Sequence, residues 1–189
     1  GTFTASQEFA GNFGTAGMTV NISDGVTMTV AANLVDGSDG PTLQKVGSGT
    51  GAVAVKIGDA DKAVNMTTIS SSGAASTTFT VFQTISNFTG TLAATTSVAT
   101  GQTLTLTAAK ATGKTITGAA GGNGSVVVTA LDQTLGAVLD NITADTGNGG
   151  SVTGTFLTSG TFEGNFGTAG MTVNISDGAT MTVAANLVD

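Results

Sequence analysis

Residues 162–189 repeat residues 9–36 at a constant offset of 153. Two of the 28 positions differ, Ala10 against Glu163 and Val26 against Ala179. Upstream, Gly1-Thr2-Phe3 lines up with Gly154-Thr155-Phe156. The fold must therefore give one stretch of sequence two comparable settings. Residues 1–153 form one period, and 154–189 begin the next. A chain that restarts itself in this way is expected to be a window on a tandem array. Arrays extend, line or bind along a surface, and seldom house a single catalytic centre.

Within the period, apolar and polar residues alternate with a period of two almost everywhere. Met18-Thr-Val20-Asn-Ile22 alternates, Asp24-Gly25 makes a turn, and Val26-Thr-Met28-Thr-Val30 alternates again. Two alternating runs about a tight turn read as a hairpin. Further strands are expected at 52–57, 77–82, 103–107, 115–117 and 125–130. Each is rich in Val, Ile, Leu, Thr or Phe and bounded by Gly, Asn, Asp or Ser. Helical signals are confined to Ala-rich pieces at 31–34 and 131–139, since Thr and Gly density opposes anything longer. The chain reads as all-β.

Two all-β architectures suit this pattern. In a β-solenoid of stacked short strands, each turn of the coil adds a rung, and small side chains fill a narrow core. A 153-residue period would then divide into about eight rungs of roughly 19 residues, giving about ten rungs in all. The alternative is a series of tandem β-sandwich domains. Sandwich cores usually carry large aromatics, whereas this chain has nine Phe and no Trp or Tyr. The solenoid is the favoured expectation.

Composition removes several functions. Twelve acidic residues stand against five lysines, for a net charge of −7, and Arg is absent. Phosphate neutralisation needs clustered Lys or Arg, so nucleic acid is excluded as a partner. An acidic surface also disfavours anionic membranes, and no apolar run approaches the roughly 18 residues of a membrane helix. His and Cys are both absent, which rules out Ser–His catalysis and thiolate metal sites. Disorder is opposed by 40% apolar residues. No leader pattern is visible; either a leader was removed or the chain is a window inside a longer polypeptide, and the repeat favours the second.

The remaining motifs are weak. Ala108–Thr115 satisfies a relaxed phosphate-loop pattern, but Ile116-Thr-Gly118-Ala-Ala-Gly-Gly cannot supply the helix that such a loop needs. Asp36 and Asp39, with Asp59 and Asp61, place carboxylates two or three residues apart in Gly-rich corners. Calcium accepts such oxygen shells, so these four are the metal candidates, although Asp-Gly also simply makes turns. No cofactor is required; calcium is the one possible ion. Phe9 and Phe13 recur as Phe162 and Phe166. They are core anchors, or self-association residues if one cluster meets a neighbouring chain.

Thr103–Gly118, Gly124–Leu131 and Leu139–Thr143 together resemble repeats of very large bacterial secreted or cell-surface β-strand-repeat proteins of the adhesin type. That resemblance implies an extended, extracellular or cell-surface, non-catalytic protein. The chain departs from many of them in having neither a calcium-binding nonapeptide nor a recognisable ligand-binding tip. The resulting expectation is a structural repeat of an extracellular fibre, sheath or surface layer. It would assemble head to tail with copies of itself and insert in no membrane. The alternatives are an adhesin stalk or binding module, and a carbohydrate-active β-solenoid.

Overall fold

The computed structural model describes residues 1–13, 18–36, 41–46, 50–69, 71–72, 76–166 and 170–187. The chain coils as a β-solenoid of about seven turns. Every strand pair among the described residues is parallel. A tandem series of antiparallel sandwiches is thereby excluded.

Among the described residues, four sheets run along the coil. The first stacks Thr2–Phe3, Thr19–Ile22, Thr42–Lys45 and Ser71–Ser72. The central sheet has seven strands: Gln7–Phe9, Thr27–Ala31, Ala52–Ile57, Ser76–Val81, Thr95–Val98, Thr115–Gly118 and Ile142–Thr143. The third stacks Ile85–Phe88, Thr103–Thr107, Ser125–Thr129, Val152–Phe156 and Thr172–Ile175. The fourth pairs Gly160–Phe162 with Met181–Val183. Parallel strands about 4.8 Å apart make the central sheet about 30 Å tall.

The expected hairpin at residues 18–30 does not form. Both strands and the turn are present, with Val26 N–H donating to the Ser23 carbonyl at 3.2 Å. The strands, however, lie in different sheets, Thr19–Ile22 in the first and Thr27–Ala31 in the central one. The turn is a corner of the coil. Each strand pairs with the strand one turn away, so its alternating apolar side chains point into a shared lumen.

Turns are also longer and fewer than expected. Stacked residues are separated by 17 positions at Thr80 and Ser97, but by 28 at Leu43 and Ser71. The extra residues lie in corners. Short helical turns at Ala32–Leu34, Asp59–Asp61, Met66–Thr68, Ala108–Ala111, Leu131–Gln133 and Thr146–Asn148 lengthen individual rungs. The Ala-rich pieces at 31–34 and 131–139 contribute two of them. Ala108–Ala111 is followed by the strand Thr115–Gly118, and Lys114 Nζ donates to the Leu92 carbonyl at 3.1 Å. This segment is a corner of the coil.

The core is a set of vertical ladders. Ile57 stacks on Val81 and Val81 on Val98; Leu104 stacks on Val126 and Val126 on Val152. All six are buried. Burying each side chain stabilises the coil by about 1.5–3 kcal/mol. Phe88, Phe156 and Phe162 are the largest fully buried side chains. Thr96 breaks the apolar pattern: it is 1% exposed and its hydroxyl has no partner.

Where corners cross, glycine is a steric requirement. A Cβ on Gly90 would lie 2.1 Å from the Val64 carbonyl oxygen of the turn beneath. Gly90→Ala should therefore destabilise the protein by about 1–3 kcal/mol or more. Thr96→Val, which removes an unpartnered buried hydroxyl at constant shape, should leave stability within about 1 kcal/mol of the parent, on the stabilising side. Urea denaturation of the two variants checks both values.

Candidate functional site

The repeated segment builds the same two-rung module twice. Thr2 pairs with Asn21 and Phe3 with Ile22; 153 residues on, Thr155 pairs with Asn174 and Phe156 with Ile175. Gln7, Glu8 and Phe9 pair with Met28, Thr29 and Val30, as Gly160, Thr161 and Phe162 pair with Met181, Thr182 and Val183. Thr27 N–H donates to Ser6 Oγ at 2.9 Å, and Thr180 N–H to Ser159 Oγ at 2.9 Å. The first copy lies on the first and central sheets, the second on the third and fourth. The module thus recurs on a different pair of sheets.

The two copies differ in what covers them. Val20, Ile22, Met28 and Val30 are buried at 4%, 0%, 0% and 0% exposure. Their counterparts Val173, Met181 and Val183 are only half-buried, and Ile175 is 47% exposed. In the first copy, Thr42–Lys45 and Ala52–Ile57 lie on top. In the second, no described strand follows. A hollow of about 730 Å3, lined by Phe162, Asn165, Thr182, Val183 and Asn186 among others, opens at this end. In the first copy, Val55 pairs above Val30, and Asp61 receives the Asn33 N–H, over the corresponding residues.

The opposite end is bare in the complementary sense. Phe3 and Phe9 are half-buried, whereas Phe156 and Phe162 are 0% and 1% exposed. A smaller hollow of about 260 Å3 lies among Phe3, Phe9, Phe13, Met18 and Val20. A Cβ on Gly164 would lie 2.0 Å from the Ala137 carbonyl oxygen below. On its counterpart Gly11, a Cβ would approach only the ring of Phe9, at 3.0 Å.

The candidate self-association residues sit in these modules. Phe9 stacks on Phe13, and Phe162 on Phe166, with ring centroids 4.2 Å apart in each pair. Phe9 borders the bare first rung, Phe13 and Phe162 are buried, and Phe166 is half-buried.

Of the calcium candidates, Asp39 lies outside the described residues. Asp36 Oδ1 accepts the Asn65 N–H at 3.0 Å. Both oxygens of buried Asp61 are engaged, Oδ1 by Asn33 N–H at 2.9 Å and Oδ2 by Gly58 N–H at 2.7 Å. Exposed Asp59 lies 4.0 Å from Lys62 Nζ. Among the described residues, no three His, Cys, Asp or Glu side chains gather as a metal site would require.

Several aspartates fasten one turn to the next, a role that a reading of Asp-Gly as turn formers does not reveal. Asp24 Oδ1 accepts both the Thr50 N–H at 2.6 Å and the Thr50 hydroxyl at 2.8 Å. Asp132 accepts the Leu157 N–H at 3.2 Å and the Thr158 hydroxyl at 2.7 Å. Asp145 Oδ2 accepts the Gly121 N–H at 2.7 Å and Asn148 Nδ2 at 2.9 Å. Asp24 to Thr50 and Asp132 to Thr158 are both 26 residues apart. A search for Asp followed by Thr at one turn's spacing would have exposed the pattern. Asp177, the copy of Asp24, is exposed and makes no such contact among the described residues.

No protein-family model, curated protein or solved structure matches this chain.

The staples carry a pH signature. Hydrogen bonding to the Thr158 hydroxyl, together with backbone N–H groups and against some desolvation, holds the Asp132 carboxyl below the usual carboxylate range. The Gly121 N–H, with Asn148, does the same for Asp145. A lowered folded pKa means that the unfolded chain binds more protons in acid. The contribution is complete above the unfolded value near ~3.9 and is lost as pH falls through the folded values. Stability should be flat from neutral pH to about pH 5 and decline below about pH 4. The double variant Asp132→Asn, Asp145→Asn should decline less. Thermal melts across this range test the sign.

Proposed function

We propose that this chain is a structural repeat of an extracellular fibre, sheath or surface layer, and that further modules of the same kind stack on its open ends. One observation carries the reading. The inward apolar side chains of a strand pair of nearly identical sequence are buried where a next turn lies over them, and half-buried or exposed where no described strand follows. The apolar side chains at the bare end are the same ones that serve as core in the first copy. The edges there present strand backbone in the orientation that a parallel neighbour would continue. The partner implied is another copy of the repeat. The work of such a unit is mechanical: inter-turn hydrogen bonds and apolar ladders resist bending and stretching along the coil. The extracellular setting rests on the resemblance to cell-surface β-strand-repeat proteins, with which an acidic, Thr- and Gly-rich composition is in keeping.

Sedimentation and negative-stain microscopy over a concentration series test this reading. End-to-end assembly into rods of the coil's own width is expected. Ile175→Lys, which places a charge on the bare face, should abolish assembly while leaving the melting of the seven turns nearly unchanged. Single short rods at every soluble concentration, in the parent as in the variant, would contradict the proposal.

A further inference from the structure

We infer that the bare C-terminal face selects its occupant by sequence. It receives a further copy of this chain's own repeat, entering with the rung 42–57, and Asp177 recognises that rung's Thr-Gly corner. The inference rests on the stacking reading above and adds the register, the receptor residue and the excluded sequences.

The register follows from the first copy. There Thr19, Val20, Asn21 and Ile22 pair with Thr42, Leu43, Gln44 and Lys45. Thr172-Val-Asn-Ile175 is the same tetrapeptide in the same kind of parallel strand. Met28, Thr29 and Val30 pair with Val53, Ala54 and Val55, which assigns Val53, Ala54 and Val55 of an incoming rung to Met181, Thr182 and Val183. The match continues in side chains. Gln44 Nε2 donates to Asn21 Oδ1 at 2.5 Å, and Asn174 offers the same amide at the bare face.

Selectivity lies at the corner. In the first copy, the Asp24 carboxylate takes two hydrogen bonds from Thr50, and the Gly25 N–H donates to Thr50 Oγ1 at 3.2 Å. A charged acceptor with two short donors is among the stronger polar contacts available at a surface. The next residue, Gly51, passes so close that a Cβ would lie 2.8 Å from the Ile22 carbonyl oxygen and 3.2 Å from that of Ser23. Ile175, Ser176, Asp177 and Gly178 repeat Ile22, Ser23, Asp24 and Gly25 without change. The bare end therefore presents a carboxylate, an N–H and a close backbone shelf. Together they accept Thr followed by Gly and reject a β-branched residue in the second position. The hollow between Phe162 and Val183 admits the counterpart of Asp59–Asp61, whose Asp61 receives the Asn33 N–H in the first copy. Asn186 repeats Asn33.

The experiment extends the full chain beyond Asp189 with a second copy of residues 37–72. Amide hydrogen exchange is then read at Thr172–Ile175 and Met181–Val183. The parent extension should protect these amides to the level of Thr19–Ile22 and Thr27–Ala31. An extension carrying Val at the Gly51 position, or a scrambled one, should leave them as exposed as in the unextended chain. Asp177→Ala in the host, a surface change that leaves the existing turns intact, should speed exchange in the parent extension roughly tenfold or more. Equal protection by the parent and scrambled extensions, or no protection by either, overturns the inference, as does an unaltered rate in Asp177→Ala. Selective protection in a chain that never assembles end to end would sink the stacking proposal alone. Assembly without selectivity would sink this inference alone.

Discussion

Parallel stacking makes every turn of this coil dependent on the next. A parallel strand cannot pair within its own turn, so its backbone N–H and carbonyl groups and its inward side chains are completed only by the turns above and below. Interior turns have both neighbours, and their ladders, such as Ile57–Val81–Val98, are sealed. End turns have one. A pattern that makes a good interior turn therefore makes a poor end turn. The repeated segment displays both outcomes in one molecule, with Ile22 enclosed and Ile175 47% exposed.

Around this constraint the polar residues take a consistent role. With charged residues only 9% of the chain, the coil does not rely on ion pairs; Lys56 with Glu8, at 2.8 Å, is its close one among the described residues. Its aspartates reach across turns to backbone N–H groups and Thr hydroxyls, as at Asp24, Asp61, Asp132 and Asp145. Such bonds satisfy donors at corners, where the strand ladder is interrupted. Glycines at Gly51, Gly90 and Gly164 let the backbones of successive corners cross at distances that no Cβ would permit. A Thr- and Gly-rich composition with scattered Asp is thus what a tightly wound coil with irregular corners requires.

Much of this architecture was legible in the sequence, for a physical reason. Period-two alternation is a property of each strand alone, so 52–57 and 103–107 were placed with their observed bounds, and the 153-residue repeat indicated stacking. What could not be read was which strand meets which. Met18–Val30 carries a local hairpin signal, yet parallel pairing is decided by residues about 20 positions away, and the turn became a corner. Turn length is not legible in the sequence because corner segments such as Asp59–Asp61 and Leu131–Gln133 have no alternation to count. The hydrogen bonds of the Asp residues at Gly-rich corners were not legible either, because they depend on the turn above or below, as with Asp61 and Asn33.

The most direct test compares two stretches of identical sequence inside one dilute, unassembled molecule. Amide hydrogen exchange at Thr19–Ile22 should be slow, and at Thr172–Ile175 faster by orders of magnitude, because among the described residues only the first has a strand stacked on either side. Equal protection of the two would mean that cover by the next turn does not govern stability, and the dependence of each turn on its neighbours would be wrong.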